Sequence, residues 1–208
     1  PRSTPSNSSA ASDVYKRQPE RTSYVYVSEG KTFSTVLGLK RGDRVIPFKG
    51  PYTPQFGDFV VGVVQDVKFT GYDIEINTPY TAFLHERMIR DKLDYGSIIF
   101  AKITAIDEVR GVDLGQAKVL KWGHLIEVPS TKIPRIIGKN NSMITMIRNA
   151  TKCSIFVGKN GYIWVSHSGN TALAVATIRK IAREAHISGL TDKIHAYLAE
   201  SIEEKQPE

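Results

Sequence analysis

The sequence predicts an α+β chain of several small domains: a small N-terminal β-domain, a five-stranded β-barrel, and a β-α-α-β-β-α unit with one extra helix. Three observations lead there. Short β-type runs, cut by glycine and alternating with period two, fill the stretch from Tyr24 to about Lys121. After Gly123 the period turns helical, with Met143, Ile144, Met146, Ile147 and Ala150 at helix spacing. A chain of 208 residues, 41% of them hydrophobic, has the length for roughly two or three small cores.

Taken in order, residues 1–20 are polar and rich in Ser and Pro, with Val14 and Tyr15 as the bulky apolar residues. Such a segment buries too little to offset chain entropy, so a disordered tail is expected. Its SDVYKRQ stretch resembles translated adapter sequence, so a non-native tail is equally expected there. Residues 21–54 carry β-type runs at Tyr24–Val27, Phe33–Leu37 and Arg44–Phe48, punctuated by Gly30, Gly38, Gly42 and Gly50.

Residues 55–121 hold strands expected at Phe59–Val67, Gly71–Ile76, Ala82–Leu84, Ser97–Ile106 and Val112–Leu114. Five short strands joined by turns suit an OB-type barrel. Residues 122–208 begin with a strand at Leu125–Val128, then Ser130-Thr131 as the expected cap of a short helix. Gly138-Lys139-Asn140-Asn141 ends that helix before the next one starts. Cys153–Val157 and Tyr162–Ser166 read as a hairpin, its turn marked by Asn160-Gly161. A long helix follows Asn170, and Thr191 is the expected cap of a last one.

Net charge is +7 and the pI about 9.4. Placement matters more than the total. From Lys132 to Arg183 there are nine Lys or Arg and no Asp or Glu. A one-sign block in an ordered-looking segment points to a phosphate-facing surface. The lone Cys153 sits in an apolar run, as a small core residue of a reducing compartment does, and one thiol makes no disulfide. No apolar run approaches the 18 or so residues of a membrane helix. A soluble, cytoplasmic protein with no membrane partner is expected.

Catalytic and cofactor signals are weak. His85, His124, His167, His186 and His195 show no metal-binding spacing. GKNNS lacks the ending of a nucleotide-binding loop, and Asp58, Asp66, Asp73 and Glu75 read as barrel-surface residues rather than a two-metal cluster. No enzyme, cofactor or metal is expected.

The string IIGKNNSMITMIRNATKCSIFV at 136–157, within that element order, resembles a type I KH domain. Two helices meeting at a Gly-rich turn aim backbone N–H groups at a phosphate, and Lys139 adds charge. The candidate RNA contacts are Lys132, Arg135, Gly138, Lys139, Asn140, Asn141 and Arg148. The family usually has Gly where Asn141 stands; that final position is expected to need φ > 0, which Asn tolerates. Gly158, Lys159, Asn160 and Gly161 form a tight turn resembling the Gly-x-Asn-Gly signature of exosome cap subunits. Trp164 after it is expected in a core or an interface.

Residues 57–121 resemble an S1 domain, through Gly57-Asp58-Phe59-Val60-Val61-Gly62-Val63-Val64, Gly71-Tyr72, Ala82-Phe83-Leu84-His85 and the Gly96 to Asp107 strand. Such barrels stack bases on aromatics in a positive groove. The candidates are Lys68, Phe69, Tyr72, Tyr80, Phe83, His85, Arg87 and Lys102. A barrel needs large side chains inside, so one or two of these aromatics belong to its core. Phe83 fits either place; Tyr72 and His85 are expected on the surface.

With Val45-Ile46-Pro47-Phe48-Lys49-Gly50-Pro51-Tyr52-Thr53-Pro54 before the barrel, the likeness to the KH-and-S1 cap subunit of the archaeal exosome spans about 24–202. The family opens with a further Pro-Gly-Asp strand segment, so this N-terminal domain reads as truncated. The resemblance implies a non-catalytic subunit that binds single-stranded RNA and guides its 3′ end into a ring of RNase-PH-like subunits. A stand-alone S1/KH regulatory or translation-related RNA binder is the alternative. A cap that binds no RNA and a nuclease are the more distant ones.

Overall fold

A computed structural model describes residues 25–28, 31–34, 37–41, 44–47, 52–107, 111–187 and 189–203. The tail expected over residues 1–20 lies outside them. The chain divides into two units, 1–49 and 50–208. In the first, β1 (Val25–Ser28) pairs antiparallel with β2 (Lys31–Ser34), and β3 (Gly38–Arg41) with β4 (Arg44–Pro47). Of the run expected at Phe33–Leu37, Phe33 and Ser34 lie in β2, Leu37 lies in no strand, and residues 35–36 are outside the described residues.

The second unit opens with a closed barrel of β5 (Phe59–Lys68), β6 (Gly71–Glu75), β7 (Thr81–His85), β8 (Ile98–Ile106) and β9 (Gly111–Leu120). They close in the order β5-β6-β7-β9-β8, with β7 and β9 parallel and the other pairs antiparallel. This is the expected OB-type barrel. Period-two alternation sends Val60, Val64, Ile74, Leu84, Ile99, Ile103 and Leu114 inward. β9 is longer than its expected Val112–Leu114 core. Gly115 and Gln116, the latter at φ 49°, interrupt its alternation where the register to β8 shifts. The strand resumes beyond them to Leu120.

Next comes a three-stranded sheet in the order β10-β12-β11, from β10 (Gly123–Glu127), β11 (Ile155–Val157) and β12 (Tyr162–Ser166). Four helices accompany it: α1 (Ile133–Ile137), α2 (Ser142–Thr151), α3 (Thr171–Glu184) and α4 (Leu190–Glu203). The core here is Ile133, Ile136, Ile144, Ile147, Ile163, Ala174, Ile178, Ile181 and Ile194, at helical or strand spacing. Asn170 caps α3, its side chain accepting from the Leu173 amide at 3.2 Å.

The two expected caps fall elsewhere. Ser130–Lys132 forms a 3₁₀ turn, and no side chain caps α1 at Lys132. Thr191 lies inside α4, whose Lys193 amide reaches back to the Gly189 carbonyl at 3.4 Å. Pro134 opens α1, where a missing N–H costs nothing, so a side-chain cap has less to do there. Cys153 is buried with its thiol on the Thr151 carbonyl at 3.5 Å, and the strand after it starts at Ile155.

A third apolar cluster joins barrel to sheet. Val61 and Leu120 point outward from the barrel onto Trp164, with Phe100, Leu125, Phe156 and Tyr162 around them. Trp164 is therefore the interface residue its alternation suggested. Gly123 is required beneath it, because a Cβ there would stand 2.4 Å from the indole.

Candidate nucleic-acid interface

The loop between α1 and α2 has a geometry set by its sequence. Gly138 turns the chain at φ 75°, and a Cβ there would meet the Met143 Cβ at 2.7 Å. Asn140 and Asn141 follow at φ 52° and 62°, both left-handed. Asn occupies that region more readily than other residues bearing a Cβ. The φ > 0 expected of Asn141 is thus observed, and Asn140 shares it. Arg135, Lys139, Asn140 and Asn141 are exposed and Lys132 is half-buried. No side chain caps α2, so its positive end opens onto this loop. Met143, Ile144 and Ile147 anchor the helix in the core. Arg148 is exposed along its stem, but its guanidinium donates to the Ile155 carbonyl, tying α2 to β11. Part of that residue's donor set serves the fold.

In the second glycine loop Gly158, Asn160 and Gly161 are buried, while Lys159 is exposed. Asn160 is 1% exposed, and its amide nitrogen donates to the Val61 carbonyl at 2.7 Å and the Ile76 carbonyl at 3.0 Å. Its amide oxygen accepts from the Val61 N–H at 3.2 Å. The Lys159 N–H bonds the Phe59 carbonyl at 2.9 Å, and its ammonium pairs with Asp58 at 2.5 Å. A Cβ on Gly158 would stand 2.6 Å from the Val61 nitrogen, and one on Gly161, at φ 95°, 2.3 Å from the Val128 oxygen. Gly158, Lys159, Asn160 and Gly161 therefore do more than turn a hairpin: they lock the three-stranded sheet to the barrel.

This lock corrects the reading of Asp58 as a surface residue. It is buried, taking Lys159 on one oxygen and the Tyr52 hydroxyl on the other at 2.5 Å. Burial and that bond raise the Tyr52 pKa well above the ordinary phenol range. Glu75, half-buried, accepts from the Tyr162 hydroxyl at 3.0 Å, and burial first, then this bond, push Tyr162 up to about 12.

On the barrel, Tyr72 overturns its expected surface placement. It is 5% exposed inside the barrel core, with its hydroxyl accepting from the Leu93 amide at 3.4 Å. The β6 alternation that turns Ile74 inward turns Tyr72 inward too, so it offers no face to a base. Three residues earlier, Phe69 is 98% exposed. Phe83 is half-buried and meets exposed His85 edge-on, centroids 4.8 Å apart. Arg87 is exposed; Tyr80 is half-buried against the barrel core. Lys68 pairs with Asp73 at 2.5 Å, a hydrogen bond that holds its ammonium above the usual range. Lys102 lies over the Phe59 ring at 5.8 Å, and Phe59 stacks on Phe100 at 5.3 Å.

The structure thus scatters the candidates: the α1–α2 loop is exposed, Phe69 and the Phe83–His85 pair lie on the barrel, Lys102 lies over Phe59, Tyr72 is in the barrel core, and the second glycine loop forms a joint. The joint was invisible in local pattern because its partners lie 84 to 101 residues apart. Among the described residues no three His, Cys, Asp or Glu side chains gather to hold a metal ion. No helix is long and apolar enough to cross a membrane among them.

Comparison with known proteins bears on both domains of the second unit. A KH-domain family profile matches residues 123–169. The chain is 39% identical over 198 residues to exosome complex component Rrp4 of Pyrococcus furiosus, covering 84% of this chain and 75% of that one. Its likeness to the Rrp4 of Methanothermus fervidus is 38% over 195 residues, covering 86% and 88%. A crystal structure described as an exosome complex RNA-binding protein is similar with a TM-score of 0.68 and 32% identity. It covers 76% of this chain and 100% of its own.

Proposed function

Because the chain belongs to the Rrp4 family of exosome components, we propose that it binds single-stranded RNA and caps a cytoplasmic ring of RNase-PH-like subunits, into which it guides RNA 3′ ends for 3′-to-5′ degradation. Its part is RNA binding and not chemistry. It raises the local concentration of RNA at the ring entrance, which quickens decay without adding a catalytic group. The observation that carries this reading is the identity shared with named exosome components over 84% of the chain. The exposed α1–α2 loop, with Lys139 at its apex and an uncapped helix behind it, supplies a phosphate contact.

The test adds the chain to purified ring subunits and follows the shortening of a 3′-labelled RNA. Decay should quicken, and the chain should co-elute with the ring; equal decay and separate elution would leave a stand-alone RNA binder. Lys139→Asp should weaken binding across RNA sequences. It should also reduce the magnitude of d log K/d log[salt] by about 0.7 or more, the value for one phosphate contact on a single strand. An unaltered salt slope would remove the loop from the RNA path.

A further inference from the structure

We propose that Trp122, at the corner where the barrel chain enters the KH sheet, is a further base-stacking contact for single-stranded RNA, separate from the α1–α2 loop and the Phe69 side of the barrel. Trp122 is 86% exposed, the second most exposed of the large hydrophobic side chains after Phe69 among the described residues. Its backbone sits at φ 60°, left-handed, a conformation that bulky residues avoid and that surrounding structure must hold. The holding contacts are present. The Trp122 carbonyl accepts from the His167 N–H at 3.0 Å, which extends the β10–β12 ladder one step past Gly123 and Ser166. Gly123 is then seated against Trp164. The indole is presented by a fixed backbone rather than by a loose tip.

Its setting favours RNA over a protein surface. Exposed His124, on β10 two residues beyond it, and exposed His167, whose N–H bonds the Trp122 carbonyl, hold their rings 4.4 Å apart. The segment 114–126 carries Lys118 and Lys121 and no Asp or Glu, and the one-sign block from 132 to 183 supplies the other strand of the corner. Protein interface cores deplete charge and need a broad apolar area. A single indole among imidazoles and ammonium groups instead matches a base with its flanking phosphates.

This inference rests on the RNA-binding reading, and the experiment keeps the two apart. The chain has two tryptophans, and Trp164 is 4% exposed, so quenchable emission from solvent belongs to Trp122. The full chain is titrated with an oligoadenylate while intrinsic emission and the anisotropy of a labelled copy are followed together. Wild-type emission should fall in step with binding. Trp122→Ala should bind on the order of 5- to 150-fold more weakly, the range for one stacked base, and Trp122→Phe should recover most of the loss. Lys139→Asp should bind more weakly yet show the same quench at saturation. Undiminished binding by Trp122→Ala, with no quench in the wild type, overturns the Trp122 contact and leaves RNA binding intact. Unchanged RNA affinity with lost co-elution from the ring would make the corner a protein contact and overturns it too. No binding by the wild type would sink both readings.

Discussion

Residues 138–141 and 158–161 both spell Gly-Lys-Asn, followed by Asn in the first loop and Gly in the second. Their fates diverge. Lys139 and Asn140 stand in solvent, whereas Lys159 pairs with a buried carboxylate and Asn160 makes three hydrogen bonds across to the barrel. The first loop lies between two helices, and its Lys139, Asn140 and Asn141 are exposed. The second joins two strands that pack on β5, so the barrel covers it. The same three residues can serve as an open phosphate grip or as a closed structural joint. What decides is the element on either side.

The largest test of this contrast is Asn160→Ala. It would leave the buried Val61 N–H and the Val61 and Ile76 carbonyls without the partner that now meets them. Thermal or urea unfolding should show a loss of about 2–4 kcal/mol. Asn140→Gly, the matching change in the open loop, should move stability by less than about 1 kcal/mol. Equal losses for the two would erase the distinction between joint and grip.

A smaller effect is expected at Asn141, the residue that parts the open loop from its family's usual Gly. At φ 62° a β-branched side chain is disfavoured, so Asn141→Val should cost about 1–2 kcal/mol and weaken RNA binding. Asn141→Gly should hold or slightly raise stability and let the RNA backbone come closer. Melts and RNA titrations in which Val matches Gly would show that the left-handed turn is not what the loop requires.

The smallest effect sharpens the closed side. Tyr162 ionises near pH 10 in the unfolded chain and at about 12 in the fold. Its folded pKa is raised, so its contribution is complete below pH 10 and is lost as the pH climbs from about 10 to 12, where only the unfolded state has shed the proton. Stability of Tyr162→Phe should fall less steeply than that of the wild type across this window. Parallel profiles would show that folding does not raise the Tyr162 pKa.

Much of the fold was legible because it obeys local periods. Val60, Val64 and Ile74 alternate, Ile144 and Ile147 repeat at helix spacing, and each pattern yields its element directly. Misses came where a local signal had a stronger competitor. The Gly115-Gln116 bulge cut the alternation of β9. Pro134 and the preceding 3₁₀ turn replaced the cap expected of Ser130-Thr131. Tyr72, aromatic and beside a turn, carried the composition of a binding face but the strand parity of the core.

The order of modules, the one-sign charge of the KH segment and the left-handed turn at Asn141 follow from local sequence. Each depends on residues within one helix turn, one strand or one run of charge. Tertiary structure alone decided that Asp58 is buried, that Asn160 spans two domains, and that Trp122 is left in solvent while Trp164 is enclosed. Those outcomes hang on which surfaces meet across about a hundred residues of chain. Burial is set by the neighbours that folding brings, and no periodicity within a segment encodes them.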